Sequence, residues 1–229
     1  MPKYAHHTFE GGGIAVWHIT ETADQLYAML GTHLYDRQLE GIRNESRRAE
    51  WLAVRVLVAE LLGTESVVAY HQTGRPYLSD GNCHISISHT KGYAALAYCY
   101  DAPIGIDIEQ VSPRVSRVAH RFVTSEEAAY IDKCDERDIL LYQLLGWSAK
   151  EALYKFFDVA EGADFQKAFN ILPYALETQG NFSVTVGFLS NATVSVSYQL
   201  FPDFVCTWVM DTQGILSGTD SFFLRRGMR

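Results

Sequence analysis

Four charged side chains in two short segments are the part of this 229-residue chain best suited to chemistry. Asp107 and Glu109 stand two apart in Gly105-Ile106-Asp107-Ile108-Glu109. The segment alternates as a strand does, so Ile104, Ile106 and Ile108 share one face and Gly105, Asp107 and Glu109 the other. Two carboxylates on one face repel unless a cation or solvent relieves them. Gly105 is expected to leave open space beside them. The second segment is Trp147-Ser148-Ala149-Lys150-Glu151-Ala152-Leu153-Tyr154-Lys155. It has helical spacing: Glu151 and Lys155 share a face, with Trp147 and Lys150 close to it. A third carboxylate with ammonium groups, set against the acid pair, suits a divalent cation holding a phosphate-bearing substrate. Each segment alone has a plainer explanation: acids on a solvated strand face, and a surface ion pair worth about 0.3–0.5 kcal/mol.

Together and in this order, the two segments resemble the signature of the 4'-phosphopantetheinyl transferases of the larger, surfactin-synthetase type. That signature is Gly-x-Asp-x-Glu followed by Trp-x-x-Lys-Glu-Ala/Ser-x-x-Lys. The likeness also covers Gly74-Arg75-Pro76-Tyr77-Leu78 and Ile85-Ser86-Ile87-Ser88-His89, and so runs from Thr73 to Lys155. The resemblance implies a Mg²⁺-dependent enzyme. It would move the 4'-phosphopantetheine arm of coenzyme A to a serine of an apo acyl or peptidyl carrier protein, releasing adenosine 3',5'-bisphosphate. It implies Asp107, Glu109 and Glu151 as Mg²⁺ ligands, and Asp107, Glu151 and Lys155 as the catalytic set. Lys155 would contact the pyrophosphate, and His89, with Ser88 beside it, the 3'-phosphate of coenzyme A. Arg75 would contact a nucleotide phosphate. Glu151 is also the candidate base, and its role as base, ligand or both stays open at this point. Arg75 stands where the family often carries lysine; charge is retained, but a guanidinium grips phosphate in a different geometry. Trp147 is expected to pack, and Lys150 either to approach phosphate or to lie in solvent. Two other functions fit the same residues: a non-catalytic module that binds coenzyme A or carrier protein, and a Mg²⁺-dependent hydrolase of nucleotide pyrophosphates.

Other candidates are weaker. Ser88 and His89 lack a Gly-x-Ser-x-Gly elbow, and neighbours on a strand face opposite ways, so hydrolase chemistry is not indicated. Cys83-His84 with His89 fits no common zinc spacing. Arg47, Arg48 and Arg55 are expected to extend the basic surface for coenzyme A, Arg48 being the one assigned to it. Arg114, Arg117 and Arg121 follow the acid motif. They either dock an acidic carrier protein or pair within the chain.

A net charge of -8 argues against general nucleic-acid binding. It also requires any basic docking surface to be local. No apolar stretch is long enough to span a bilayer, and Met1 to His7 have no signal-peptide core. The four scattered cysteines include no Cys-x-x-Cys, so free buried thiols are expected. These features point to a soluble cytoplasmic protein; the resemblance to the larger family type, which carries both halves in one chain, implies a monomer.

The predicted elements alternate helices and strands. Strands are expected at Ile14–Ile19, His84–Ser88, Tyr93–Tyr100 and Ile104–Glu109, and an antiparallel meander at Phe182–Phe188, Thr193–Tyr198 and Phe204–Met210. Helices are expected at Thr20–Leu30, at Asn44–Leu62 closed by Gly63, and at Asp138–Phe157. A capping box at Thr124-Ser125-Glu126-Glu127 opens another. The expected fold is α+β. The resemblance implies two similar halves in a pseudo-twofold arrangement, divided here as 1–102 and 103–229 at the Asp101-Ala102-Pro103 turn.

Overall fold

Alternating apolar residues and well-capped helices build an α+β chain, seen here in a computed structural model that describes residues 3–63, 66–159 and 162–211. Met1 and Pro2 of the signal-peptide argument lie outside the described residues. The chain divides into two compact units, Met1–Pro103 and Ile104–Arg229.

The first unit runs β1 (Lys3–Phe9), β2 (Gly12–His18), α1 (Ala23–Leu30), α2 (Asp36–Leu39), α3 (Glu45–Leu62), β3 (Val68–Tyr70), β4 (Pro76–Leu78), β5 (His84–Thr90) and β6 (Tyr93–Cys99). Its antiparallel sheet has the order β1-β2-β6-β5, and β3 with β4 forms a separate hairpin. Thr22 opens α1 with a full capping box through Gln25, and the Asn44 side chain accepts from Arg47 N–H to open α3. Leu52, Ala53, Val56 and Leu57 of α3 are buried in one core with Trp17, Ile85 and Leu96 of the sheet. Three strands carried no clear signal in sequence. β1 is rich in polar aromatic residues, and β3 and β4 are three residues each.

The second unit runs β7 (Ile104–Gln110), α4 (Arg114–Val118), α5 (Ser125–Ile131), α6 (Glu136–Phe157), α7 (Phe165–Ala168), β8 (Phe169–Ile171), β9 (Gln179–Val186), β10 (Ala192–Leu200) and β11 (Phe204–Met210). The expected meander forms and is extended on both sides. The sheet order is β7-β11-β10-β9-β8, antiparallel throughout, with the first strand paired to the last. The 22-residue α6 packs against β7 and β11, and Leu145, Ala149, Ala152, Leu153 and Phe156 enter the core with Val184, Val196 and Val205.

Gly105 overturns one expectation. It does not leave open space beside the acids. A Cβ there would lie 2.2 Å from the Ala152 carbonyl oxygen and 2.9 Å from Phe156 Cβ. The glycine lets the backbone of α6 approach the backbone of β7, with Ala149 and Ala152 fully buried nearby. β7 is consequently buried from Ile104 to Ile108, on both faces rather than one. Gly105→Ala should therefore lower stability by about 3 kcal/mol through overpacking, read as a shift of the urea midpoint at constant slope. A change under about 0.5 kcal/mol would mean that α6 does not lie this close.

Candidate functional site

The close approach of α6 to β7 carries Asp107 and Glu109 up to Glu151 and Lys155. Asp107 is 4% exposed. Its backbone is tied to the helix, since Ser148 Oγ lies 3.3 Å from the Asp107 carbonyl oxygen and 2.8 Å from the Thr207 hydroxyl. Thr207 is the residue of β11 paired directly with Asp107. Lys155 Nζ donates to Asp107 Oδ1 at 2.8 Å and to the Ile106 carbonyl at 3.0 Å. The lysine thus crosses to the strand instead of pairing with Glu151 one turn back on its own helix.

Glu109 is held by a residue that sequence reading treated as packing alone. Trp147 Nε1 donates to Glu109 Oε1 at 2.8 Å, while its ring lies against Phe122 and Phe165. Burial is the main cause pushing the Glu109 carboxyl up to about 7, followed by the charge of Asp107. The Trp147 hydrogen bond and the Lys155 charge act the other way, while the charge of Glu151 adds to the rise. The Glu151 carboxyl is also raised, by burial and then by Asp107, against the pull of Lys155. Three carboxylates thus feel one another across a half-buried space, with one ammonium to offset them. Among the described residues Glu151 makes no hydrogen bond, so it is the carboxylate least committed to the protein.

Such a set of hard oxygen donors fits a hard divalent cation. Among the described residues, however, no group of three or more His, Cys, Asp or Glu side chains is gathered as a ready metal cage. Asp107 and Glu109 each have one oxygen engaged by Lys155 and Trp147. Mg²⁺ commonly sits on one or two carboxylates and completes its shell with water and substrate phosphate, so a closed cage is not required.

Lys150 of the same helix is neither a phosphate contact nor a solvated residue. It is fully buried, and its ammonium bonds both carboxylate oxygens of Glu127, each at 2.9 Å, and the Phe122 carbonyl. Glu127 also accepts from Thr124 N–H at 2.9 Å and Ile171 N–H at 2.7 Å. The capping box read from sequence is thus half of a buried ion pair that joins α5, α6 and β8. Burial pushes the Lys150 ammonium pKa down and Glu127 pulls it back.

The remaining candidates lie in the first unit. Ser88 is buried and His89 exposed, as alternation on β5 requires, and His89 Nδ1 lies 3.4 Å from Glu50 Oε2. Arg75 sits in the β3–β4 hairpin turn, where His71 N–H bonds the Arg75 carbonyl at 2.9 Å and Gly74 adopts φ +83°. Its charge helps to lower the His84 pKa, after burial. Arg47 is exposed and Arg48 half-buried on α3; among the described residues Arg48 Nε has no hydrogen-bond partner. Arg55 is 2% exposed and so does not extend a basic surface. Among the described residues Arg114, Arg117 and Arg121, all exposed, form no ion pair. No described helix is long and apolar enough to cross a membrane. All four cysteines are free.

Residues 103–209 match the 4'-phosphopantetheinyl transferase superfamily. The match spans β7, α6 and the whole five-stranded sheet, and so contains all four charged residues of the cluster. The 4'-phosphopantetheinyl transferase AcpT of Salmonella typhi is 32% identical over 113 residues, 48% of this chain and 58% of that protein. AcpT of Salmonella typhimurium is 31% identical over the same length and shares. The 4'-phosphopantetheinyl transferase ffp of Bacillus subtilis is 33% identical over 116 residues, 48% of each chain. The chain spans about half the length of the curated relatives it matches.

Two measurements check this geometry. Glu109 has a folded pKa of about 7 against an ordinary 4.5. A raised carboxyl pKa adds stability that is full below the unfolded value and is lost as pH rises through the folded one. The metal-free protein should therefore lose stability between pH 4.5 and about 7, and Glu109→Gln should flatten that slope in urea titrations. An unchanged slope in the variant would assign the loss to other groups. Lys150→Ala leaves Glu127 charged and buried, and should cost about 3–5 kcal/mol by chemical denaturation.

Proposed function

We propose that this protein transfers the 4'-phosphopantetheine arm of coenzyme A to a serine hydroxyl of an acyl or peptidyl carrier protein, with Mg²⁺, releasing adenosine 3',5'-bisphosphate. The observation that carries the reading is the coincidence of the superfamily match with a cluster of three mutually repelling carboxylates and one lysine on β7 and α6. A purely structural role would not set three acids together in half-buried surroundings, where like charges are costly.

The roles follow from the contacts. Asp107, Glu109 and Glu151 supply oxygen donors that would hold Mg²⁺, whose charge offsets that of a pyrophosphate when it is bound. Trp147 orients Glu109 by fixing one carboxylate oxygen, and Ser148 with Thr207 fixes the strand at Asp107. Glu151 takes the proton of the attacking serine. Its raised pKa makes it a better base near neutral pH, and no protein hydrogen bond among the described residues competes for its oxygens. Lys155 carries a positive charge beside Asp107 and would stabilise negative charge on the breaking pyrophosphate bond. In the first unit, Arg75, His89 with Ser88, and Arg48 would hold the phosphates of the nucleotide. Positioning and charge neutralisation suffice for such a displacement, so no covalent enzyme intermediate is needed. That the two units are similar halves belongs to the same proposal. Its support is that each unit has an antiparallel sheet with one long helix, α3 or α6, packed on it.

One assay tests the whole proposal. The protein is mixed with coenzyme A, Mg²⁺ and an apo carrier protein, and the carrier is weighed by mass spectrometry. The expected result is a mass gain of one phosphopantetheine. Free phosphopantetheine with unmodified carrier would instead indicate hydrolysis, and no product at all would indicate a binding module. Asp107→Ala should lower turnover by at least about a thousandfold while the fold survives. Lys155→Ala should lower kcat by about 10–100-fold, and normal kinetics there would return Lys155 to a structural role.

A further inference from the structure

Buried charge without a carboxylate partner is rare in folded proteins, and Arg55 of α3 is such a charge. It is 2% exposed, and among the described residues no Asp or Glu pairs with it. Aromatic rings surround it instead. Its guanidinium carbon lies 3.5 Å from the centre of the Trp51 ring, 5.6 Å from that of Tyr70 and 5.7 Å from that of Tyr35. It donates to the Trp51 carbonyl at 3.2 Å and to the Tyr70 hydroxyl at 2.9 Å. Tyr35 in turn accepts from Val68 N–H at 3.2 Å.

The Tyr70 contact, and the Tyr35 contact through Val68, lead to the β3–β4 hairpin. Val68 and Tyr70 are the first and last residues of β3, and Tyr70 pairs directly with Pro76, the neighbour of Arg75. The hairpin has only three residues in each strand and belongs to neither larger sheet. A two-stranded ribbon of that size is not stable by itself. Val68 and Leu78 anchor its base in the core. Toward the turn end, Arg55 donates to the Tyr70 hydroxyl from outside the ribbon, and His84 of β5 lies close enough to feel the Arg75 charge.

We propose that Arg55 is a positioning residue for the coenzyme A nucleotide. Its aromatic clasp fixes the turn end of the hairpin and so presents Arg75 to a phosphate. This inference rests on the nucleotide role of Arg75 proposed above. Guanidinium is suited to the task because it stacks on rings and donates in its plane at the same time, which an ammonium does not.

The test uses the full-length protein and two variants, Arg55→Lys and Tyr70→Phe. The second keeps the ring and removes only the acceptor hydroxyl, so it reports on the clasp even if the first fails to fold. Amide exchange is measured at His71 and Gly74, whose N–H groups close the turn. The KM for coenzyme A and kcat are measured alongside those of Arg75→Ala. Exchange at both amides should speed up. KM should rise about five- to tenfold with kcat within about twofold of the parent. Adding Arg75→Ala to either variant should raise KM no further than Arg75→Ala alone. Unchanged exchange in folded variants overturns the clasp. Faster exchange with unchanged KM, where Arg75→Ala does raise KM, overturns the positioning role. If Arg75→Ala also leaves KM unchanged, the nucleotide role of Arg75 falls, while the exchange data still decide the clasp.

Discussion

Helix α6 and strand β7 meet backbone to backbone at Gly105, and every feature of the acidic cluster depends on that contact. With a side chain in the gap, the helix would stand farther off. Lys155 would then lose Asp107, Trp147 would lose Glu109, and Ser148 would lose its place beside Thr207. Small residues on both elements make the approach possible, with Ala149 and Ala152 on the helix and Gly105 on the strand. A helix and a strand hold their side chains rigidly, which suits the positioning roles proposed for these groups.

The cluster is under electrostatic tension. Burial and mutual repulsion raise the Glu109 and Glu151 carboxyls, and one ammonium and one indole N–H offset part of that cost. Clustered like charges of this kind are relieved by added positive charge, which agrees with the cation-binding role proposed above. The protein tolerates the cost because the rest of the unit is conventionally packed. A continuous apolar core underlies the sheet, and at Glu127–Lys150 a buried ion pair has its hydrogen bonds largely satisfied.

The two buried cations show two ways of holding charge inside a protein. Lys150 meets a carboxylate that also accepts two backbone N–H groups, so the pair fastens three elements together. Arg55 meets rings and a phenol, and fastens a short hairpin to a long helix. An ammonium requires an acceptor within reach, whereas a guanidinium also gains from aromatic faces.

The local code of this chain was legible in its residues. Alternation marked β2, β5, β6, β7 and the meander; a capping box at Thr124 marked the start of α5 and Gly63 the end of α3; and two short motifs marked the charged cluster. These are nearest-neighbour and one-turn effects, written in consecutive residues. What only the tertiary structure decided involves partners far apart in sequence. Gly105 reads as space until α6 is laid on it, and Trp147 reads as packing until Glu109 is beneath its N–H. Lys150 and Arg55 read as surface charges until Glu127, 23 residues away, and Tyr70, 15 residues away, are brought to them. Spacing along a chain states which face a side chain shares, but burial and pairing depend on which other element covers that face, and the packing of the whole unit settles that.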